Sequence, residues 1–268
     1  MSQNYEALKK IIASYQRLVV AFSGGVDSSF LLKTAHDVLG ENVIAITAKT
    51  PYIADWEIDD ARRIADEIGA KHLVIEKPWI ESIKTNPDNR CYLCKHALFS
   101  SLQEFAKTYG YTHVAEGSNV NDTLEYRPGR KALQELGIST PLLDANLTKE
   151  EIRALSQKLA LSTWNKPSYA CLLTRFPYNT TIDPLALDMV GKAEALMIQQ
   201  GYGEIRVRYE NALARLEMPH KNALKLLQDD ALTDICASLK QLGFSHVTLD
   251  LEGYRTHTPV HVKEKTHV

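Results

Sequence analysis

The sequence predicts an α/β fold, a doubly wound parallel sheet followed by a smaller α+β domain. Three observations carry that prediction. Leu18 to Phe22 is an unbroken apolar run, as in a strand buried on both faces. It leads through Ser23-Gly24-Gly25 into a helical pattern that closes at Gly40. Short apolar runs then alternate with helical spacings as far as Glu116, which gives β-α-β units. Beyond residue 170 the order changes to helix, hairpin, two helices and a strand. The domains drawn on this basis are 1–169, 170–255 and a flexible tail, 256–268.

Each element has its own warrant. Leu8, Ile11, Ile12 and Tyr15 share a face of a helix over 5–16. Val43 to Thr47 reads as a second strand, ending at Ala48-Lys49-Thr50-Pro51. Ile58, Ala61, Ile64, Ala65 and Ile68 mark one face of a helix over 54–68. His72 to Ile75 is a third strand. After an irregular stretch a helix covers 95–109, and Thr112 to Glu116 is a fourth strand, closed by Gly117. Pro141-Leu142-Leu143 reads as a short strand. Thr148-Lys149-Glu150-Glu151 is a capping box that opens a helix over 149–159. A helix over 182–200 stops at Gly201. Period-two segments 204–209 and 212–217, joined by Glu210-Asn211, form a hairpin. Helices near 219–228 and 229–242 precede a last strand, 246–251.

The first loop is the chemical centre of this arrangement. Gly24 and Gly25 let the backbone bend tightly and bring N–H groups against an anion. The first-turn N–H groups of the following helix point to the same place, and Ser23, Ser28 and Ser29 add hydroxyls. The loop lacks the Gly-Lys of a Walker motif. Asp27 would be out of place at a bare anion site, and fits if magnesium lies between it and phosphates. The plainer reading is a glycine turn with Asp27 and Ser28 capping a helix. Ligands of open parallel sheets bind at the carboxyl ends of the strands. The turn-rich segment Glu116 to Asp122, with Tyr126-Arg127-Pro128-Gly129-Arg130-Lys131, is accordingly expected as a second wall. Ser23-Gly24-Gly25-Val26-Asp27-Ser28 resembles the pyrophosphate loop of the ATP-pyrophosphatase superfamily. Its members cleave ATP between the α- and β-phosphates and adenylylate a substrate.

The composition bounds the rest. A chain of 268 residues with net charge −2 shows no overall basic field for nucleic acid. No apolar run reaches the length of a membrane span, and the first residues lack a signal-peptide pattern. A cytoplasmic location is the expectation, where the four cysteines would be reduced, ligating or reactive. Cys236 lies among Leu232, Ile235 and Leu239 as a core residue. Cys91-Tyr92-Leu93-Cys94 stands in the irregular stretch, and Cys171 stands in Pro167-Ser168-Tyr169-Ala170-Cys171-Leu172. A structural zinc site normally has four ligands, and His96 follows Cys94 too closely to be a sure fourth. Three thiolates instead suit a [4Fe–4S] cluster with one open iron, able to hold a further ligand such as sulfide. Arg206 and Arg208 alternate with apolar residues and share one strand face. Glu217 and Glu194 are placed to orient them around an anion.

Taken together, these motifs resemble the LarE family of ATP-dependent sulfur transferases. The resemblance covers nearly the whole chain. Besides the first loop it rests on Glu116-Gly117-Ser118-Asn119, Tyr126-Arg127-Pro128-Gly129, Pro167 to Leu172, Arg206-Val207-Arg208 through Ala214-Arg215-Leu216-Glu217, and Leu251-Glu252-Gly253-Tyr254-Arg255. It implies adenylylation of the carboxylates of pyridinium-3,5-biscarboxylic acid mononucleotide and their conversion to thiocarboxylates, for the nickel-pincer nucleotide cofactor. Members with a single cysteine at the Cys171 position give up its own sulfur. Members with a C-x-x-C as well hold a [4Fe–4S] cluster and turn over, and Cys91, Cys94 and Cys171 place this chain with them. The resemblance further implies ATP and Mg2+ at residues 23–28, adenine over Ala48-Lys49-Thr50, Gly117 and Arg127 near the nucleotide, and a homo-oligomer. Thr174, Glu194, Arg206, Arg208 and Glu217 are the implied phosphate site for the small mononucleotide substrate. Threonine stands at 174 where the family pattern has serine, and the hydroxyl is kept.

Three other readings share some of these features. A tRNA thiolation enzyme has the loop and often three cysteines, but calls for a basic surface. An ammonia-using synthetase, like those making NAD or GMP, needs no cysteines. A nucleotide-binding regulatory module with structural zinc would bind ATP without forming AMP.

Overall fold

The computed structural model describes residues 2–124 and 128–254. The chain divides into two compact units, Met1–Pro184 and Leu185–Val268. Among the described residues no helix is long and apolar enough to cross a membrane.

The first unit is built on a four-stranded sheet of order β3-β2-β1-β4, with β1 Leu18–Ala21, β2 Val43–Lys49, β3 Lys71–Glu76 and β4 His113–Ala115. Every pairing in it is parallel. Helices cover both faces. Helices α1 Gln3–Ala13, α2 Val26–Leu39 and α3 Asp55–Ile68 enclose one core with Leu18 and Val20. Helices α4 Arg90–Thr108 and α5 Gly129–Glu135 enclose the other with Val19 and Ile46. Strand period two sends Leu18 and Val20 to one core and Val19 to the other. The doubly wound parallel sheet expected from the sequence is therefore present.

Two expectations for this unit need correction. Pro141–Asp144 is a short helix, α6, and not a strand. Its proline stands in the first turn, where the missing N–H is no loss. Extension occurs just before it, where Ser139 bridges Ala115 in parallel and exchanges hydrogen bonds with Val114 and Glu116. The helix expected over 95–109 starts five residues earlier, at Arg90, so the C-x-x-C segment is helical. Asn89 heads this helix without a side-chain cap, and so the start carried no capping signature. The capping box at Thr148 is present, with reciprocal Thr148 and Glu151 bonds opening α7 Lys149–Lys158.

The sequence boundary at 169/170 precedes a segment tied into the first unit. Leu172 N–H donates to the Tyr52 carbonyl (3.0 Å), and Ile182 N–H donates to the Lys84 carbonyl (2.9 Å).

The second unit has its own sheet, order β5-β6-β7, with β5 Arg206–Glu210, β6 Leu213–Glu217 and β7 His246–Leu249. The hairpin is antiparallel and β7 joins it in parallel. The turn is Asn211-Ala212, both at positive φ (49° and 63°), as a two-residue hairpin connection of type I′ requires. Helices α8 Pro184–Gln199, α9 His220–Leu227 and α10 Leu232–Gln241 complete the unit. Cys236 on α10 is half-buried, not a core residue as expected. Tyr254 donates its N–H to the Met218 carbonyl and lies under Arg206. The tail drawn at 256–268 lies outside the described residues.

Candidate active site

The first loop is held open by backbone geometry. Gly24 has φ +66°, and a Cβ there would meet the Ala61 backbone at 3.0 Å. Gly25 heads α2 in extended conformation without any side-chain cap, and its carbonyl takes Ser29 N–H at 2.9 Å. Ser23 and Ser28 stand on either side, their hydroxyls 3.1 Å apart. Ser28 Oγ also bonds the Gly25 carbonyl at 3.2 Å. The loop therefore gathers two hydroxyls and the opening of a fourteen-residue helix. This arrangement can take a phosphate.

Asp27 is on the first turn of that helix. Its Oδ2 accepts from Lys149 Nζ at 2.5 Å and its Oδ1 from Asn119 Nδ2 at 3.3 Å. Burial raises its carboxyl above the usual carboxylate range, and Lys149 pulls it back. Lys166 holds the other side of the loop. Its Nζ donates to the Gly24 carbonyl at 2.8 Å and pairs with Asp60. Lys149 and Lys166 are functional candidates that the sequence reading missed. Lys149 was legible only as part of a helix cap, and Lys166 carried no signal. Gly117 stands where a Cβ would come within 3.1 Å of Asp27 Cβ and Ser28 N. The end of β4 can thus reach the loop only without a side chain there.

Ala48, Lys49 and Thr50 lie at the carboxyl end of β2, which continues through Lys49. Lys49 pairs with Asp55 at 2.8 Å, and Thr50 is buried. Arg127 lies outside the described residues. Of the neighbouring basic residues, Arg130 donates to the Asp122 carbonyl, and Lys131 faces Glu135 and the Tyr92 ring.

The Cys91–Cys94 turn and the Cys171 segment are brought side by side although Cys94 and Cys171 are 77 positions apart in the sequence. Cys91 and Cys94 lie one turn apart at the start of α4. Tyr52, just beyond the end of β2, joins the two segments: its hydroxyl is 3.4 Å from Cys94 Sγ, and its carbonyl takes Leu172 N–H. Charge on either Cys91 or Cys94 is felt at Cys171. Cys91 is exposed and the other two are half-buried. The protein around the Cys171 sulfur pushes its thiol up to about 11, while Arg90 and Arg175 pull it down. Burial likewise raises Cys94. At neutral pH these are thiols, so a metal bound there would release protons.

Among the described residues no three His, Cys, Asp or Glu are grouped to hold a single metal ion. His96 lies against the Tyr92 ring. A cubane makes a different demand, since each thiolate takes its own iron and the sulfurs need not converge on one point. The donor set fits that demand: three soft ligands from two segments, with a tyrosine hydroxyl and a buried arginine beside them.

Asn86 locks the two segments together. It is fully buried, and its Nδ2 donates to the carbonyls of Leu173 (3.3 Å), Phe176 (3.2 Å) and Pro177 (2.8 Å). Replacing Asn86 with Ala strips a donor from three carbonyls and leaves a left-handed backbone (φ 51°) without its favoured residue. The expected loss is about 2–3 kcal/mol, measured by urea unfolding. An unchanged midpoint would mean the clamp contributes nothing.

The cysteines and the first loop lie on one edge of the sheet. Lys95, the residue after Cys94, reaches Glu116 Oε2 at 3.4 Å, and Glu116 precedes Gly117, which packs on Asp27.

In the second unit Arg206 and Glu217 are register partners, as are Arg208 and Arg215. Glu217 Oε1 accepts from Arg208 Nε at 2.9 Å and from Arg215 Nη1 at 3.3 Å. Glu194 Oε1 accepts from Val207 N–H at 2.9 Å, so it braces the arginine strand through its backbone. Thr174 belongs to the first unit. Its hydroxyl donates to the Cys171 carbonyl at 2.9 Å and accepts from Arg175 at 2.6 Å.

A parallel sheet whose first strand runs through Ser-Gly-Gly-Val-Asp-Ser into a helix defines the PP-loop class of α/β proteins, and the asparagine synthase family model matches residues 5–81. An uncharacterized protein of Synechocystis, slr1717, is 40% identical over 258 residues, 96% of each chain. Pyridinium-3,5-bisthiocarboxylic acid mononucleotide synthase of Lactiplantibacillus plantarum is 38% identical over 90% of this chain and 88% of its own. An uncharacterized protein of Methanocaldococcus jannaschii, MJ0830, is 31% identical over 90% and 92%. The chain belongs to the family of the Lactiplantibacillus synthase, the LarE family.

Proposed function

We propose that this chain is an ATP-dependent sulfur insertase acting on pyridinium-3,5-biscarboxylic acid mononucleotide. The observation that supports this reading is that Tyr52 joins the Cys91–Cys94 turn to the Cys171 segment, while Lys95 ties the same turn to the Glu116-Gly117 end of β4 beside the phosphate loop. The family relationship supports the substrate.

A carboxylate does not accept a sulfur nucleophile, because oxide is too poor a leaving group. The two halves of the site answer that problem in turn. Residues 23–28 seat the pyrophosphate portion of ATP through loop N–H groups and the hydroxyls of Ser23 and Ser28. Adenine lies by Ala48, Lys49 and Thr50. Asp27 would help to hold Mg2+, which would offset phosphate charge. A substrate carboxylate oxygen attacks the α-phosphorus, the bond to the bridging oxygen breaks, and pyrophosphate leaves. Loop N–H groups and Arg127 stabilise the charge that develops. The acyl adenylate now carries AMP as its leaving group. Cys91, Cys94 and Cys171 would hold a [4Fe–4S] cluster, which when bound would supply sulfide-level sulfur to the activated carbonyl, with AMP leaving. Arg206 and Arg208, with Glu194 and Glu217, take the mononucleotide phosphate.

The test is iron and acid-labile sulfide in protein purified without oxygen, beside a Cys94→Ala variant. About four irons per chain are expected in the parent, with most lost in the variant. A parent without iron would overturn the cluster and make Cys171 the donor of its own sulfur.

A further inference from the structure

Arg90 has an arrangement that the nucleotide and substrate roles leave unexplained. It is the first residue of α4, next to Cys91, and only 4% exposed. Its guanidinium lies over the Tyr178 ring at 4.1 Å. Its Nε and Nη1 are buried with no hydrogen-bond partner, and among the described residues no carboxylate pairs with it. A buried cation is expensive unless it is paired. The face of Tyr178 supplies part of the compensation, but an aromatic ring does not satisfy two N–H donors. The Asn86 clamp fixes the 173–177 segment against the stretch that precedes α4. Arg90 therefore sits in the seam between the Cys91–Cys94 turn and the Cys171 segment. Its charge reaches the Cys171 sulfur.

We propose that Arg90 is the counter-cation of the cysteine site, its two unpartnered N–H donors reserved for the negative charge that arrives when the three thiols become cluster-bound thiolates. The inference rests on the cluster reading above. In the empty protein the guanidinium is buried against nothing of opposite sign. With three thiolates ligating, the site carries net negative charge, and Arg90 balances it. Arg90 is thus a positioning residue, acting on the reaction only through the ligated cysteines. N–H donors beside cluster sulfurs stabilise the more negative, reduced form, so the cation also raises the reduction potential.

This assignment has a signature that a merely structural arginine lacks. An ordinary packing residue lowers the stability of the empty protein when it is replaced. A counter-cation waiting for its anion should not. The experiment compares parent, Arg90→Gln and Arg90→Lys proteins, each purified empty and each reconstituted with iron and sulfide without oxygen. Empty Arg90→Gln is expected to melt at or above the parent temperature. Once loaded, it is expected to lose iron to a chelator about tenfold faster or more, with a lower reduction potential. Arg90→Lys, which keeps the charge, should fall between the two. Loaded Arg90→Gln that holds iron and potential like the parent overturns the proposal and leaves the cluster reading intact. Empty Arg90→Gln that melts well below the parent also overturns it, since that is the mark of a packing role. Should Arg90→Gln fail to fold, loaded Arg90→Lys must keep most of the parent's iron retention, and rapid iron loss there counts against the proposal. A parent that takes up no iron overturns both readings together.

Discussion

With serine in place of Cys171, substrate-dependent AMP release is expected to continue while thiocarboxylate formation falls below detection. The two halves of the reaction separate in this variant because they use different parts of one sheet edge. In the proposed mechanism adenylylation depends on residues 23–28, Asp27 among them, none of which bonds Cys171. In the same mechanism sulfur delivery depends on a soft ligand that iron would hold, and a serine hydroxyl is hard and stays protonated at neutral pH. The local structure should survive, because the segment is fixed by backbone and Asn86 contacts and not by the thiol: Leu172 N–H on Tyr52, and Asn86 on the 173–177 carbonyls. The measurement is chromatography of the nucleotide products beside a mass assay for the thiocarboxylate. Thiocarboxylate at the parental rate would remove Cys171 from the mechanism. Loss of AMP together with sulfur transfer would mean that the cysteine site and the loop are not separable.

The second large effect is expected at Asp27. Asp27→Asn keeps the shape of the helix turn and removes its charge. Lys149 then loses its carboxylate partner at 2.5 Å, and the ligand that would hold magnesium against the phosphates becomes a neutral amide. AMP formation should fall by about a hundredfold or more, the scale on which single electrostatic groups at a reacting centre act. Lys149→Gln is the informative companion. It frees Asp27 from its ion pair while leaving the metal ligand in place, so its defect should be much smaller and should appear mainly in the magnesium dependence. Parent-like AMP formation in Asp27→Asn would return Asp27 to the plainer role of helix capping.

The order of elements was legible because local rules govern it. A run such as Leu18–Phe22 cannot be solvated, and glycine at 24 and 25 permits a turn that other residues resist. Pro141-Leu142-Leu143 misled because a short apolar run has no period of its own. The start of α4 was missed because no side chain caps it, and Cys91-Tyr92-Leu93-Cys94 has no amphipathic pattern. Lys149, Lys166 and Asn86 were invisible for a related reason: each acts on a residue between 87 and 142 positions away.

By itself, then, the sequence determined the parallel sheet, the loop at residues 23–28 and the three cysteines as separate signals, since strand burial, glycine geometry and thiol chemistry are properties of short stretches. Only the tertiary structure decided that the Cys91–Cys94 turn and the Cys171 segment meet at Tyr52, that Asp27 is already paired with Lys149, and that Arg90 is buried with two donors to spare. Those are contacts between distant segments, set by how the crossovers bring the ends of β1, β2 and β4 to one edge, and no local pattern encodes them.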